Sequence, residues 1–206
     1  MGRAGGALAI PERLRTVGID LSGAEKNPSG WAFLEGLEAR TALLSSDEEI
    51  IEATAREGPS LVAIDAPLSL PEVGYAREVD KAMHRLGLHV LPPLFPAMRA
   101  LTLRGINLSR ALRARGLSVI EVHPASTRKV LGLPVKGRAS IQTALLELGL
   151  RGELEERELS IHELDAITAA LTASLHLLGL SEAVRARDGE IIIPKRGLEI
   201  EDARGR

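Results

Sequence analysis

The chain has 206 residues, 45% of them hydrophobic and only 2% aromatic, with a formal net charge of −2. That length supports one sizeable core, built from Leu, Ile, Val and Ala, and no apolar run is long enough to span a bilayer. The absence of cysteine excludes disulfides, thiolate metal sites and cysteine nucleophiles, so any metal must be held by carboxylates or histidines.

Charge is distributed unevenly along the chain. Between Arg77 and Arg138 there are twelve Lys or Arg against three acids, Glu78, Asp80 and Glu121. A basic middle on an acidic chain fits an anionic ligand such as nucleic acid, and equally fits a set of solvated helix faces. Asn and Gln are scarce (Asn27, Asn107 and Gln142), which in a charged chain points to a hot-living source.

In chain order, residues 1–14 read as a loose leader. Their apolar part, "ALAI", is too short for a signal-peptide core, so the protein is expected in the cytoplasm with no membrane partner. Thr16–Leu21 predicts a first strand. Gly30–Glu35 and Ala39–Leu44, split by a short Gly-containing turn, predict a hairpin. Ser46 is an N-cap for a helix to about Glu57, which Gly58-Pro59 stops. Leu61–Ala66 is a nearly continuous apolar run, as in a central strand buried on both faces.

From about residue 72 to 116 the pattern becomes a helical insert. It holds a short helix at Ala76–Leu88, the three-proline segment "HVLPPLFPAM", and a helix over Met98–Arg115. The proline segment reads either as a wall or lid of a cleft or as surface packing. Leu117–Val122 predicts a further strand, Arg138–Leu148 a helix, Ile161–Leu178 the strongest helix, and "EIII" a last short strand. The predicted class is therefore α/β. A five-stranded mixed sheet, an antiparallel meander followed by parallel strands, is flanked by helices in one domain over 15–194, with a tail over 195–206.

Two strands end on the same Ile-Asp pair, "VGIDLSG" at Asp20 and "VAIDAPLSLP" at Asp65. If the Leu61–Ala66 strand returns beside the first one in parallel, the two carboxylates become neighbours. A third, Asp165, lies in "SIHELDAITAALTASLHLLG". There Ser160 and Glu163 form a capping box, and Leu164, Ile167, Leu171, Leu175 and Leu178 make a buried stripe. Asp165 falls at the edge of that stripe, about 100° from Leu164, and His162 lies on the same side. Each Asp has a plain structural use alone: Asp20 and Asp65 as caps of the following turns, Asp165 as a carboxylate near a helix N-terminus. Together they would repel by about 4 kcal/mol per pair at about 4 Å and an effective dielectric near 20. A divalent cation removes that cost, and all-carboxylate ligands suit Mg²⁺ or Mn²⁺. Gly18 is expected to keep the sheet face around Asp20 open.

These motifs, with "EVHPAS", resemble those of a family of ribonuclease H-like nucleases catalogued as domain-of-unknown-function family 429. The resemblance runs from about Arg15 to Ile193. The order of acids is also similar to the Holliday-junction resolvase branch of the ribonuclease H-like superfamily. The resemblance implies metal-dependent phosphodiester cleavage, with Asp20, Asp65 and Asp165 as metal ligands and catalytic acids. It makes His162 a ligand or proton-transfer group and Glu121 a fourth acid. Arg77 and Asp80 of "GYAREVD", with Lys81 and His123, become substrate-facing candidates. Ribonucleases H proper take a catalytic Glu from their first helix, whereas Glu48, Glu49 and Glu52 here sit in no distinctive motif.

Two other readings stay open. "GIDLSG" also resembles the phosphate-binding turn of the actin and sugar-kinase superfamily, whose members use two such domains; a homodimer could supply the second. A non-catalytic nucleic-acid-binding module would use the basic middle alone. With only Trp31, Phe33, Tyr75 and Phe95, a base-stacking platform is not expected. No G-x-S-x-G elbow supports a serine nucleophile.

Overall fold

The computed structural model describes residues 8–198. Its centre is a six-stranded sheet in the order β5-β4-β1-β2-β3-β6. The strands are β1 (Arg15–Asp20), β2 (Ser29–Glu35), β3 (Glu38–Leu44), β4 (Leu61–Asp65), β5 (Val119–Glu121) and the two-residue β6 (Arg151–Gly152). β1 to β3 form the antiparallel meander, turning at Gly36 with φ 61°. β4 returns beside β1 in parallel and β5 lies parallel beside β4. This is the expected ribonuclease H-like order, extended by β6 on the far edge.

Helices cover both faces. α1 (Asp47–Glu57), with the predicted Ser46 cap, and α3 (Arg99–Ala114) close one face over Val17, Ile19, Val62 and Ile64. α7 (Ile161–Leu177) closes the other. Nearly every residue of α7 from Glu163 to Leu175 is buried, so it is a central helix rather than an amphipathic one. α5 (Arg138–Glu147) and the short α6 (Glu153–Glu156) pack beside it.

Gly18 does not leave its face open. A Cβ there would sit 2.0 Å from the Ala166 carbonyl oxygen, and one at Gly30 would sit 2.0 Å from the His162 carbonyl oxygen. The backbone of α7 therefore lies directly on β1 and β2, and only glycine admits it.

The insert carries α2 (Glu78–Arg85) and α3 between β4 and β5. The elements not legible in the sequence include α4 (Pro124–Val130) and β7 (Ser181–Ala186), which pairs as a hairpin with β8 (Gly189–Pro194). α4 is too short to show a helical period, and β7 buries only Val184, so its alternation is faint. The predicted "EIII" strand is thus half of a separate two-stranded sheet, joined to the main one by a bridge from Ile192 to Val122. Asp188 at its tip accepts from the Glu78 and Val79 amides (2.7 and 3.2 Å) and so caps α2.

Of the expected leader, Leu8 and Ile10 belong to the core. They are buried with α5 and α7, and the Leu8 amide donates to the Leu148 carbonyl (3.0 Å). Residues 1–7 lie outside the described residues, as do 199–206 of the expected tail. Among the described residues no helix is long and apolar enough to cross a membrane.

Candidate active site

Strand register decides which acids meet. In the β1–β4 pair Thr16 to Asp20 lie opposite Leu61 to Asp65, one to one, so Asp20 and Asp65 end adjacent parallel strands side by side. Partners in register share a sheet face. Thr16 on that face bonds the Ala170 carbonyl of α7 (3.0 Å), so the two aspartates point to the face that α7 covers. Asp165 sits just past the first turn of α7, whose start is fixed by the predicted capping box: Glu163 N to Ser160 Oγ 3.2 Å, and Ser160 N to Glu163 Oε2 2.8 Å.

Each acid has a different neighbour. Asp20 Oδ2 meets His162 Nδ1 at 2.6 Å. Asp165 accepts from the Arg128 guanidinium, which arrives from α4 and also donates to Thr168 Oγ1 (3.2 Å). The Asp65 carboxylate has no hydrogen-bond partner among the described residues. Burial, then the charges of Asp20 and Asp165, raise the Asp65 pKa well above the usual carboxylate range, with Arg128 opposing. Burial raises that of Asp165 too, again against Arg128. The Asp20 hydrogen bond raises the pKa of His162.

Among the described residues no three acid or histidine side chains are drawn together as ready metal ligands. The pairings above explain why. Arg128 holds Asp165 and His162 holds Asp20, so internal partners already answer two of the three acids. Arg128 is 3% exposed, and its Nε is a buried polar atom without a hydrogen-bond partner among the described residues.

Glu121 does not join the three acids. It is in register with Ile64, not Asp65, and so points to the opposite sheet face. There its oxygens accept from Arg77 Nη1 and Nη2 (2.8 and 2.6 Å) and from the Leu68 amide (2.8 Å). Arg77 and Asp80 are 1% and 2% exposed. Asp80 takes Arg77 Nε and Nη2, and Ser69 Oγ takes the remaining Nη1 hydrogen (2.9 Å). All five guanidinium hydrogens are thereby used, which leaves Arg77 none for a substrate. Against the cost of burial, Glu121 and then Asp80 hold this guanidinium firmly charged. The triad forms one wall of the cleft instead. Lys81 is exposed and paired with Glu78 (2.7 Å).

His123 does reach the cleft. As N-cap of α4 its Nδ1 meets the Ser126 hydroxyl (2.7 Å) and the Ser126 amide (3.3 Å); with that amide donating to Nδ1, the ring proton of the neutral form is on Nε2. Burial, then Arg128, push its pKa down to about 4, so it is neutral at pH 7. The proline segment supplies Val90, Leu91 and Met98 to the same cleft, so it is a wall. Sequence reasoning missed Arg128. Its only signal was a basic residue five positions after His123, and nothing local links it to Asp165.

Of the basic middle, Arg77, Arg104 and Arg128 are buried on internal partners, while Arg85, Arg99 and Arg110 face solvent.

Sheet order and acids together define a mixed α/β protein of ribonuclease H-like topology whose two central parallel strands end in paired aspartates. Residues 18–189 match the family described as "Protein of unknown function (DUF429)", and the chain belongs to that family. No curated protein matches the sequence. Among solved structures the chain is similar to two of RuvC from Thermus thermophilus. One is in complex with Holliday junction substrate, at 16% identity over 86% of this chain and 99% of that chain, with a TM-score of 0.45. The other shares 16% identity over 85% of this chain and 99% of that one, also with a TM-score of 0.45.

Proposed function

We propose that the chain is a divalent-metal-dependent nuclease that hydrolyses phosphodiester bonds in nucleic acid through Asp20, Asp65 and Asp165. The observation that carries this reading is the register that ends two neighbouring parallel strands on Asp20 and Asp65. Asp65 adds support, as a carboxylate with no hydrogen-bond partner among the described residues, beside two further carboxylates. Such a cluster is unfavourable until a cation joins it.

The donor set is all oxygen, which fits Mg²⁺ or Mn²⁺ rather than a soft metal. Asp20, Asp65 and Asp165 would hold the ion. When bound, it supplies positive charge to the phosphate and to the attacking and leaving oxygens. The remaining work falls to the chain. In hydrolysis a water oxygen bonds to phosphorus, the ester P–O bond breaks, and the leaving oxygen needs a proton. His162 is half exposed and gives its Nδ1 hydrogen to Asp20, a bond that favours the imidazolium; in that form its Nε2–H would protonate that oxygen. Exposed Arg85, Arg99 and Arg110 would meet backbone phosphates, giving affinity without sequence readout.

Calorimetric titration of Mg²⁺ or Mn²⁺ into wild type, Asp20→Asn and Asp65→Asn tests the site. Cleavage is followed on single-strand, duplex, hybrid and branched substrates. Ion binding and cleavage are expected in the wild type and lost in both variants. Ion binding unchanged by either substitution would sink the assignment.

A further inference from the structure

Beside Asp20 and Asp65 the cleft deepens into a cavity of about 200 Å³. Its walls are mostly apolar. The insert contributes Val90, Leu91, Met98 and Leu101, and the strand ends contribute Leu21 and Val122. A phosphodiester backbone has no use for such a lining, because phosphates and riboses are polar. The volume is below the roughly 300–1,000 Å³ typical of pockets that enclose a whole small molecule. It suits one planar ring system of a larger ligand.

Two further observations say what kind of ring. Of the polar groups on the wall, Arg77, Asp80 and Glu121 are already saturated by one another. His123 is not: Ser126 occupies Nδ1, and Nε2–H is a neutral donor with no partner among the described residues. A neutral donor in an apolar slot suits a ring carbonyl or ring nitrogen.

The second observation concerns the aromatics. The chain has only four. Trp31 and Phe33 are in the core, whereas Tyr75 and Phe95 are 70% and 51% exposed. Both lie on the two insert segments that also line the cavity, and the Leu94 amide joins these segments by donating to the Tyr75 carbonyl (3.2 Å). Exposed rings on a chain this poor in aromatics are where bases would stack. The insert also presents Arg85 and Arg99 to solvent, so its surface complements a polyanion that carries flat apolar rings.

We propose that this cavity, formed by Leu91, Met98, Leu101 and His123, with Tyr75 and Phe95 on the insert segments that line it, receives one unpaired nucleobase adjacent to the scissile phosphate. It rests on the hydrolytic reading above and narrows its substrate class: nucleic acid bearing an unstacked base, not continuous duplex. A base inside a duplex cannot enter without leaving its stack, and that cost is least where it is already unpaired.

The test uses Asp65→Asn protein without divalent metal, so that binding is read apart from cleavage. The probes are DNA and RNA duplexes of one length, fully paired or with a single bulged 2-aminopurine. Anisotropy should show the bulged duplex bound at least ~10-fold more tightly, with 2-aminopurine fluorescence changing on binding. Adding Leu91→Glu should abolish the preference, and adding Tyr75→Ala with Phe95→Ala should reduce it. All three positions are half exposed or more, so a thermal melt close to that of the parent is expected and checks the fold. Equal affinity for paired and bulged probes would overturn the proposal, as would a preference that survives Leu91→Glu. Failure here is separable from failure of the hydrolytic reading. Wild-type cleavage without base preference would remove the cavity assignment alone, whereas preference without any cleavage would keep the cavity and remove the nuclease.

Discussion

At the scale of single residues, the decisive fact is which charges are already answered inside the fold. Arg77 bridges Asp80 and Glu121 with both carboxylates buried, so removing it strands two negative charges away from water. Arg77→Met is expected to destabilise the protein by about 3–5 kcal/mol, read by urea denaturation, because breaking a buried ion network from one side leaves its partners uncompensated. Arg77→Lys should recover little, since a point charge cannot fork between two carboxylates. A loss under about 1 kcal/mol for Arg77→Met would contradict the network. The sequence could not reveal this role. "GYAREVD" is a charged stretch and reads as surface, and the partner that draws Arg77 inward lies 44 residues away. His123 makes a second prediction at this scale. Its folded pKa of about 4 lies below its ordinary 6.5, so the unfolded chain binds the proton that the native state refuses. Stability contributed by the neutral ring is whole above pH 6.5 and falls as pH drops toward 4, by at most about 3 kcal/mol at about 1.4 kcal/mol per pKa unit. His123→Asn keeps an N-cap acceptor but cannot titrate. Its denaturation midpoint should therefore fall less than that of the wild type between pH 6.5 and 4, and parallel curves would rule the idea out.

At the scale of elements, the site depends on how closely α7 lies on the sheet. Gly18 and Gly30 let its backbone touch β1 and β2, and the same contact carries His162 and Asp165 to the strand ends. Gly18→Ala and Gly30→Ala each place a methyl group against backbone that has no room to give. Forcing atoms into a packed interior costs about 1–3 kcal/mol. The two should differ in what else they do. Gly30→Ala strikes the first turn of α7 at His162, so divalent-ion affinity should fall along with stability. Gly18→Ala strikes Ala166 and Ala170 and should act mainly on the denaturation midpoint. Calorimetry and denaturant titration on the same preparations separate these outcomes. The start of α7 was legible because a capping box is a local signal of two residues three apart, and Ser160 and Glu163 display it. What Glu163 does beyond the cap was not legible: it also accepts from Thr41 Oγ1 (2.8 Å) and Arg157 Nη2 (2.6 Å), tying β3 to the helix. The reading of Gly18 as a residue that opens the sheet erred for a related reason. A glycine in a strand marks close approach, and only tertiary structure says what approaches.

At the scale of the whole molecule, strand order followed from the sequence because meander, helix and apolar run follow one another with short links, and a parallel return beside β1 is the simple closure. Asp20 and Asp65 could therefore be paired in advance, whereas Glu121 could not be placed, since a one-residue change of register moves a side chain to the other face. The register also sets the charge of the assembled site. Three aspartates face one buried arginine, so the centre is short of positive charge, and Arg128 competes with any ion for Asp165. An ion that binds only the folded chain stabilises it by about 2.7 kcal/mol at a hundred times its Kd. For a chain of this size that is a rise in Tm of roughly 5–10 °C. Thermal melts in Mg²⁺ or Mn²⁺ should show such a rise for the wild type and none for Asp65→Asn. Arg128→Gln should melt lower without metal, since Asp165 then lies beside two other carboxyl groups without its guanidinium partner. It should rise further than the wild type when metal is added, because the competing cation is gone. A metal-induced rise that is smaller in Arg128→Gln than in the wild type would mean that Arg128 helps to assemble the ion site rather than standing in for the ion.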